Sequence, residues 1–126
     1  MTENEVSFKI IGAAIEVHKQ LGPGLLESSY EHCLAYELKQ QVMDVKQQVL
    51  LPIIYKDIKL DAGYRIDLFV ENRVIVEIKA VDALADIYTA QLLTYLKLKD
   101  IKLGLLINFN TVVLKDGVKR ILNGYL

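Results

Sequence analysis

Apolar residues recur at helical spacing over residues 6–21, where Ile10, Ala14, Val17 and Leu21 form a row with Phe8, Ile11 and Ile15 beside it. The pattern predicts a first helix with a broad buried stripe. Gly22-Pro23-Gly24 should stop it, because glycine accepts a left-handed cap and proline cannot continue the hydrogen-bond ladder. A second helix is expected over residues 25–40, with Leu26, Tyr30, Cys33, Leu34 and Leu38 facing inward. The pattern then turns β-type. Val49, Leu50, Leu51, Ile53, Ile54 and Tyr55 are interrupted by Pro52, which has no N–H to donate and so marks an edge or a bulge. Lys56-Asp57 reads as a hairpin turn. A second strand is expected over residues 58–70 with a bend near Asp61-Ala62-Gly63, and a third over residues 74–79.

Residues 84–99 predict a third helix, with Leu84, Tyr88, Gln91 and Tyr95 in one stripe and Gln91 its lone polar, inward-facing member. The apolar run 102–109 reads as a buried strand, parallel to the third through a right-handed crossover because a helix precedes it. Residues 111–114 and 118–122 are short β-prone runs around the Lys115-Asp116-Gly117 turn.

Within residues 65–80, three charges interrupt this pattern. Asp67 lies in the second strand, and Glu77 and Lys79 lie in the third, where a plain core strand would carry none. Strand side chains alternate with period two, so Glu77 and Lys79 share a face. Register decides whether Asp67 joins them. A three-residue loop Glu71-Asn72-Arg73 sets Val70 opposite Val74 and Asp67 opposite Glu77, whereas a two-residue Glu71-Asn72 loop separates the carboxylates to opposite faces unless a bulge intervenes. Convergence therefore predicts the three-residue loop, with Asn72 or Arg73 left-handed. The result would be an acidic pocket beside an ammonium, suited to holding a divalent cation against a phosphate. The plain alternative is a structural ion-pair ladder across two exposed strands.

Composition adds limits. The 126 residues suffice for one core, and a single domain over 1–126 is expected. No apolar run approaches the roughly 20 residues that cross a bilayer, so no membrane partner is expected. The acidic opening Met1-Thr2-Glu3-Asn4-Glu5 is unlike a signal peptide, which makes a cytoplasmic location the default. One cysteine, Cys33, excludes an internal disulfide and reads as a buried structural residue. His18, in the last turn of the first helix, reads as a capping or packing residue. Net charge is −1, divided as −4 over residues 1–83 and +3 over 84–126. There is thus no general attraction to nucleic acid, only a modest basic surface towards the end of the chain. Glu27, Tyr30 and Glu31 share one patch at the start of the second helix, where a glutamate ordinarily complements the helix dipole.

Asp67 followed by Glu77-Ile78-Lys79 resembles the D…(D/E)-x-K signature of the PD-(D/E)XK nuclease superfamily, with Ile66 standing where the name expects proline. Gly24-Leu25-Leu26-Glu27-Ser28-Ser29-Tyr30 resembles the motif of the GxxExxY proteins, a small branch of that superfamily. Gln91-Leu92-Leu93-Thr94-Tyr95 resembles the Q-x-x-x-Y element of RecB-like exonucleases. The resemblance implies an α/β fold with a restriction-endonuclease-like αβββαβ core, a central mixed sheet flanked by helices. It implies a nuclease hydrolysing DNA with Mg2+ or Mn2+ held by Glu27, Asp67 and Glu77. Lys79 and Gln91 would complete the catalytic set, and Tyr30 and Tyr95 would bind substrate. A non-catalytic nucleic-acid- or protein-binding module that keeps the fold is the alternative. The apolar excess and small size make a homodimer a further expectation.

Overall fold

The computed structural model describes all 126 residues. Helices α1 (Glu3–Leu21) and α2 (Glu27–Gln40) are followed by strands β1 (Val45–Leu50), β2 (Ile53–Tyr55), β3 (Ile58–Leu60), β4 (Arg65–Val70) and β5 (Val74–Lys79). Helix α3 (Asp86–Lys99), strand β6 (Leu103–Asn108), a 3-10 turn (Leu114–Gly117) and strand β7 (Val118–Leu122) complete the chain. The main sheet runs β1-β4-β5-β6-β7. Only β5 and β6 are parallel, joined by α3 as the helix between them predicted.

Period-two alternation builds two cores from one sheet. Leu68, Val70, Val76, Ile78, Leu105 and Ile107 meet α1 and α2 on one face. Ile75 and Leu106 meet Leu92, Tyr95 and Leu96 of α3 on the other. Every residue of β6 is buried, because helices cover both of its faces. Gly104 lets α3 lie close, since a Cβ there would stand 3.0 Å from the Leu92 side chain. No helix is long and apolar enough to cross a membrane.

The loop between β4 and β5 is the expected three residues, with Val70 opposite Val74. Asn72 is left-handed as expected (φ 52°), but its left-handed neighbour is Glu71 (φ 55°) and not Arg73. Glu71 tolerates this because its backbone N–H donates to the Asp44 carbonyl at 2.8 Å and its carboxylate accepts the Asp44 N–H at 2.6 Å.

Several sequence expectations are corrected, and Leu26 and Phe8, expected on buried faces, are exposed. Helix α1 starts at Glu3, before its apolar row, because Thr2 and Glu5 form a reciprocal capping box. The expected strand 58–70 is two strands. Residues 58–60 fold back on β2 as a separate two-stranded arm, and the chain resumes as β4 beside β1. Residues 111–114 are not a strand. The chain instead makes a 3-10 turn ending at Gly117, where a Cβ would collide with the Asn108 carbonyl oxygen. His18 packs as read, its Nε2 lying 2.8 Å from the Thr111 carbonyl oxygen. Cys33 is half-buried against the α1–α2 core.

Candidate active site

The β4–β5 ladder pairs Val70 with Val74, Phe69 with Ile75 and Leu68 with Val76, and there it ends. Beyond that point β4 continues alongside β1 as far as Arg65, and β5 continues alongside β6 as far as Lys79. The sheet forks, and backbone groups on the two inner edges lose their ladder partners. Asp67 and Glu77 fill the gap reciprocally. The Asp67 N–H donates to Glu77 Oε2 at 2.8 Å, and the Ile78 N–H donates to Asp67 Oδ2 at 2.8 Å. Each carboxylate thus satisfies the opposite strand and is held with little freedom.

Glu77 is buried and Asp67 half-buried. Burial, followed by the charge of Asp67, pushes the Glu77 carboxyl from its ordinary 4.5 up to about 8. Asp67 is also raised, first by burial, and the Ile78 N–H partly offsets this. Burial is the larger cause of both shifts, and neighbouring carboxylate charge adds to it.

A third acid adds to that charge. Glu31, buried on α2, accepts bonds from the Gln47 and Gln48 amides at 3.1 and 2.5 Å. Gln48 also donates to Asp67 Oδ1 at 3.2 Å. It does so from a left-handed backbone (φ 51°) that interrupts the β1–β4 pairing opposite Asp67. The charge of Glu31 raises both Asp67 and Glu77. Glu27, one turn earlier, is exposed and accepts the Ala80 N–H at 3.4 Å, placing it at the rim. The α2 carboxylate inside the fork is therefore Glu31.

Lys79 projects beside the pair without bonding to it. Its Nζ lies 4.6 Å from the centre of the Tyr88 ring, and the one ion pair of the molecule is elsewhere, between Arg73 and Glu3 at 3.6 Å. The ion-pair ladder is therefore not formed. Lys79 still lowers both carboxyls through space. Past Lys79 the chain is anchored by Asn108, which is buried. Its amide accepts the Val81 N–H at 3.1 Å and donates to the Val81 carbonyl at 3.0 Å.

Tyr95 is buried on α3, and Glu77 and Asp67 both add to the burial that raises its hydroxyl. Gln91 is exposed, contrary to the inward reading, because α3 turns Leu92, Tyr95 and Leu96 to the sheet. It lines a cavity next to Tyr95. Tyr30 is corrected most clearly. Its ring is fully buried and stacked on Phe109 at 4.5 Å, so no substrate reaches it. Its hydroxyl donates to the Gly22 carbonyl at 2.7 Å and accepts the Leu25 N–H at 3.0 Å, fixing the loop that leads into Glu27.

Sequence reasoning missed Glu31, Gln48, Tyr88 and Asn108 as members of the site. The i, i+4 spacing from Glu27 was a signal for Glu31. The left-handed Gln48 had none.

No group of three His, Cys, Asp or Glu side chains is disposed around a common point for a metal ion. The donor chemistry nevertheless suits a hard divalent cation. The fork is oxygen-rich, its two central acids are raised by burial, and each offers an oxygen that no backbone N–H occupies. Mg2+ binds through one or two carboxylates with water and substrate filling the rest.

A five-stranded mixed sheet between helical layers, forked around paired carboxylates, defines a restriction-endonuclease-like α/β protein. The chain belongs to the PD-(D/E)XK nuclease superfamily, whose family model matches residues 4–121. No curated protein and no solved structure matches it.

Proposed function

We propose that this protein is a divalent-cation-dependent nuclease that hydrolyses phosphodiester bonds of DNA in the β4–β5 fork. The observation carrying this reading is the backbone-anchored pair Asp67 and Glu77, crowded by Glu31 and lacking a bonded counter-charge. Superfamily membership supports nuclease chemistry. The likeness of Gln91 to Tyr95 to the element of end-acting exonucleases supports DNA as substrate.

Asp67 and Glu77 would hold the cation, Mg2+ or Mn2+, with Glu31 deepening the negative potential. Such a cation, when bound, supplies Lewis-acid stabilisation of charge on phosphorus and acidifies water. Lys79 neutralises charge developing on the phosphoryl oxygens and orients the attacking water, and the Tyr88 ring holds its ammonium in reach. Tyr95, in the field of Glu77 and lining the adjoining cavity, would contact the substrate.

A second reading is a binding module that keeps the fold without turnover. It is favoured by the commitment of one oxygen of each central carboxylate to backbone N–H groups. Incubation with labelled linear, circular and single-stranded DNA separates the two. Cleavage is expected with Mg2+ or Mn2+, absent with chelator, and reduced about 100-fold or more in Asp67→Ala and Lys79→Ala. Cleavage that survives both substitutions would refute the proposal. DNA binding with no turnover in any cation supports the second reading.

A further inference from the structure

We propose that the cavity between the β2–β3 arm and α3 is a pocket for one unpaired nucleobase, which makes single-stranded DNA or a frayed end the substrate of the fork. The inference rests on the nuclease reading above and names the form of nucleic acid it acts on.

The cavity, of about 250 Å³, is lined by Ile53, Tyr64, Gln91, Thr94, Tyr95 and Leu98. Its aromatic walls are Tyr64 and Tyr95, whose rings meet edge to face with centroids 6.5 Å apart. Tyr64 is 43% exposed, although its backbone is fixed by the Leu51 N–H donating to its carbonyl at 2.8 Å. A residue pinned by its backbone with a partly exposed ring can serve as a stacking platform. Every base offers a π-face, so such platforms take single strands with little sequence preference.

The rim is polar in a way that suits the edge of a base. The Thr94 hydroxyl commits its proton to the Ala90 carbonyl at 3.0 Å and is left as an acceptor. The exposed Gln91 amide offers both a donor and an acceptor. Flat apolar walls with donors and acceptors at the mouth describe a site for a planar heterocycle better than one for an aliphatic side chain.

Position completes the case. Tyr95 forms the inner wall of the cavity and also lies within the field of Glu77 and Asp67, so a base seated against Tyr64 sets its own backbone towards the fork. Arg65, next in the chain to Tyr64, is exposed, and one guanidinium nitrogen is 3.3 Å from the Gln48 carbonyl oxygen. It leaves further donors for a phosphate of a strand whose base sits against Tyr64. Bases inside a duplex are stacked on one another and cannot enter.

The test compares three labelled probes: a short single strand, the same strand carrying abasic sites, and a blunt hairpin duplex. Binding is measured by anisotropy in chelator, and cleavage is measured separately with Mn2+. Wild-type protein is expected to bind the normal strand about 10-fold or more tighter than the abasic strand. Tyr64→Ala and the cavity-filling Thr94→Trp should lose that discrimination, and Tyr64→Phe should keep it. The wild-type comparison needs no substitution, so misfolding of a variant does not obscure it. Equal binding of normal and abasic strands, or no binding of either, overturns the pocket, as does undiminished discrimination in Tyr64→Ala. Cleavage without base discrimination leaves the nuclease reading standing and the pocket refuted. Base-dependent binding without cleavage does the reverse.

Discussion

Glu77 is where burial and chemistry oppose each other. Without a cation its carboxyl, pushed up to about 8, holds a proton at neutral pH. The folded state then binds that proton more tightly than the unfolded chain does, so the stabilisation is complete below the ordinary 4.5 and is lost as pH rises to about 8. Asp67, raised in the same direction, adds to the trend. Melting in chelator across this window should show wild-type Tm falling as pH rises, and Glu77→Gln should flatten the slope. A wild-type Tm that climbs with pH over the same window contradicts this. Asp67, Glu77 and Lys79 were legible in the sequence because charges stand out in apolar strands and alternation assigns their face. Glu31 and Tyr88 were not, since a glutamate or tyrosine on a helix has ordinary uses that spacing does not separate from a role at a site. Tyr30 shows the converse. Its place in a recognisable motif suggested substrate contact, while its hydroxyl closes the loop at Gly22 and Leu25.

At the scale of elements, the fork depends on where two strands stop pairing. The three-residue loop fixes the register, and the last ladder pair, Leu68 with Val76, leaves the next positions open for the carboxylates. That register was derivable because an odd-numbered loop brings Asp67 and Glu77 to one side and an even-numbered one does not. The division of residues 58–70 was not. Lys56-Asp57 foretold the hairpin that pairs Ile58 to Leu60 with Ile53 to Tyr55 through a left-handed Lys56 (φ 54°), but Ile58 to Leu60 are as β-prone as their neighbours and nothing marks them as an arm apart from β4. Asn108 ties the parallel strand β6 to the segment after Lys79 through both polar groups of Val81. Asn108→Ala leaves those groups without partners in a part-buried place and should cost about 2 kcal/mol in urea denaturation. The Val81 amide should also exchange faster with solvent. An unchanged exchange rate would show that this anchor does not hold the segment.

Across the whole molecule, one sheet carries two apolar faces, and the acidic fork opens where β4 and β5 part. The layer order was readable from periodicity, since the α3 run between two apolar strands demands a parallel crossover. The family match over residues 4–121 agrees with it. The expected basic surface does not supply the cation of the fork. Lys99 lies over the Phe69 ring at 5.5 Å, within the paired part of the ladder, and Lys79 is the ammonium beside the carboxylates. The proposed chemistry requires Asp67 and Glu77 to share a divalent cation, and Mn2+ titration of the folded protein, followed by paramagnetic resonance, tests this most directly. It predicts saturable uptake that tightens as pH rises towards 8, the value to which Glu77 is raised, and that weakens about 10-fold or more in Asp67→Asn. Absence of uptake by the wild-type protein, or uptake unchanged in Asp67→Asn, would contradict it.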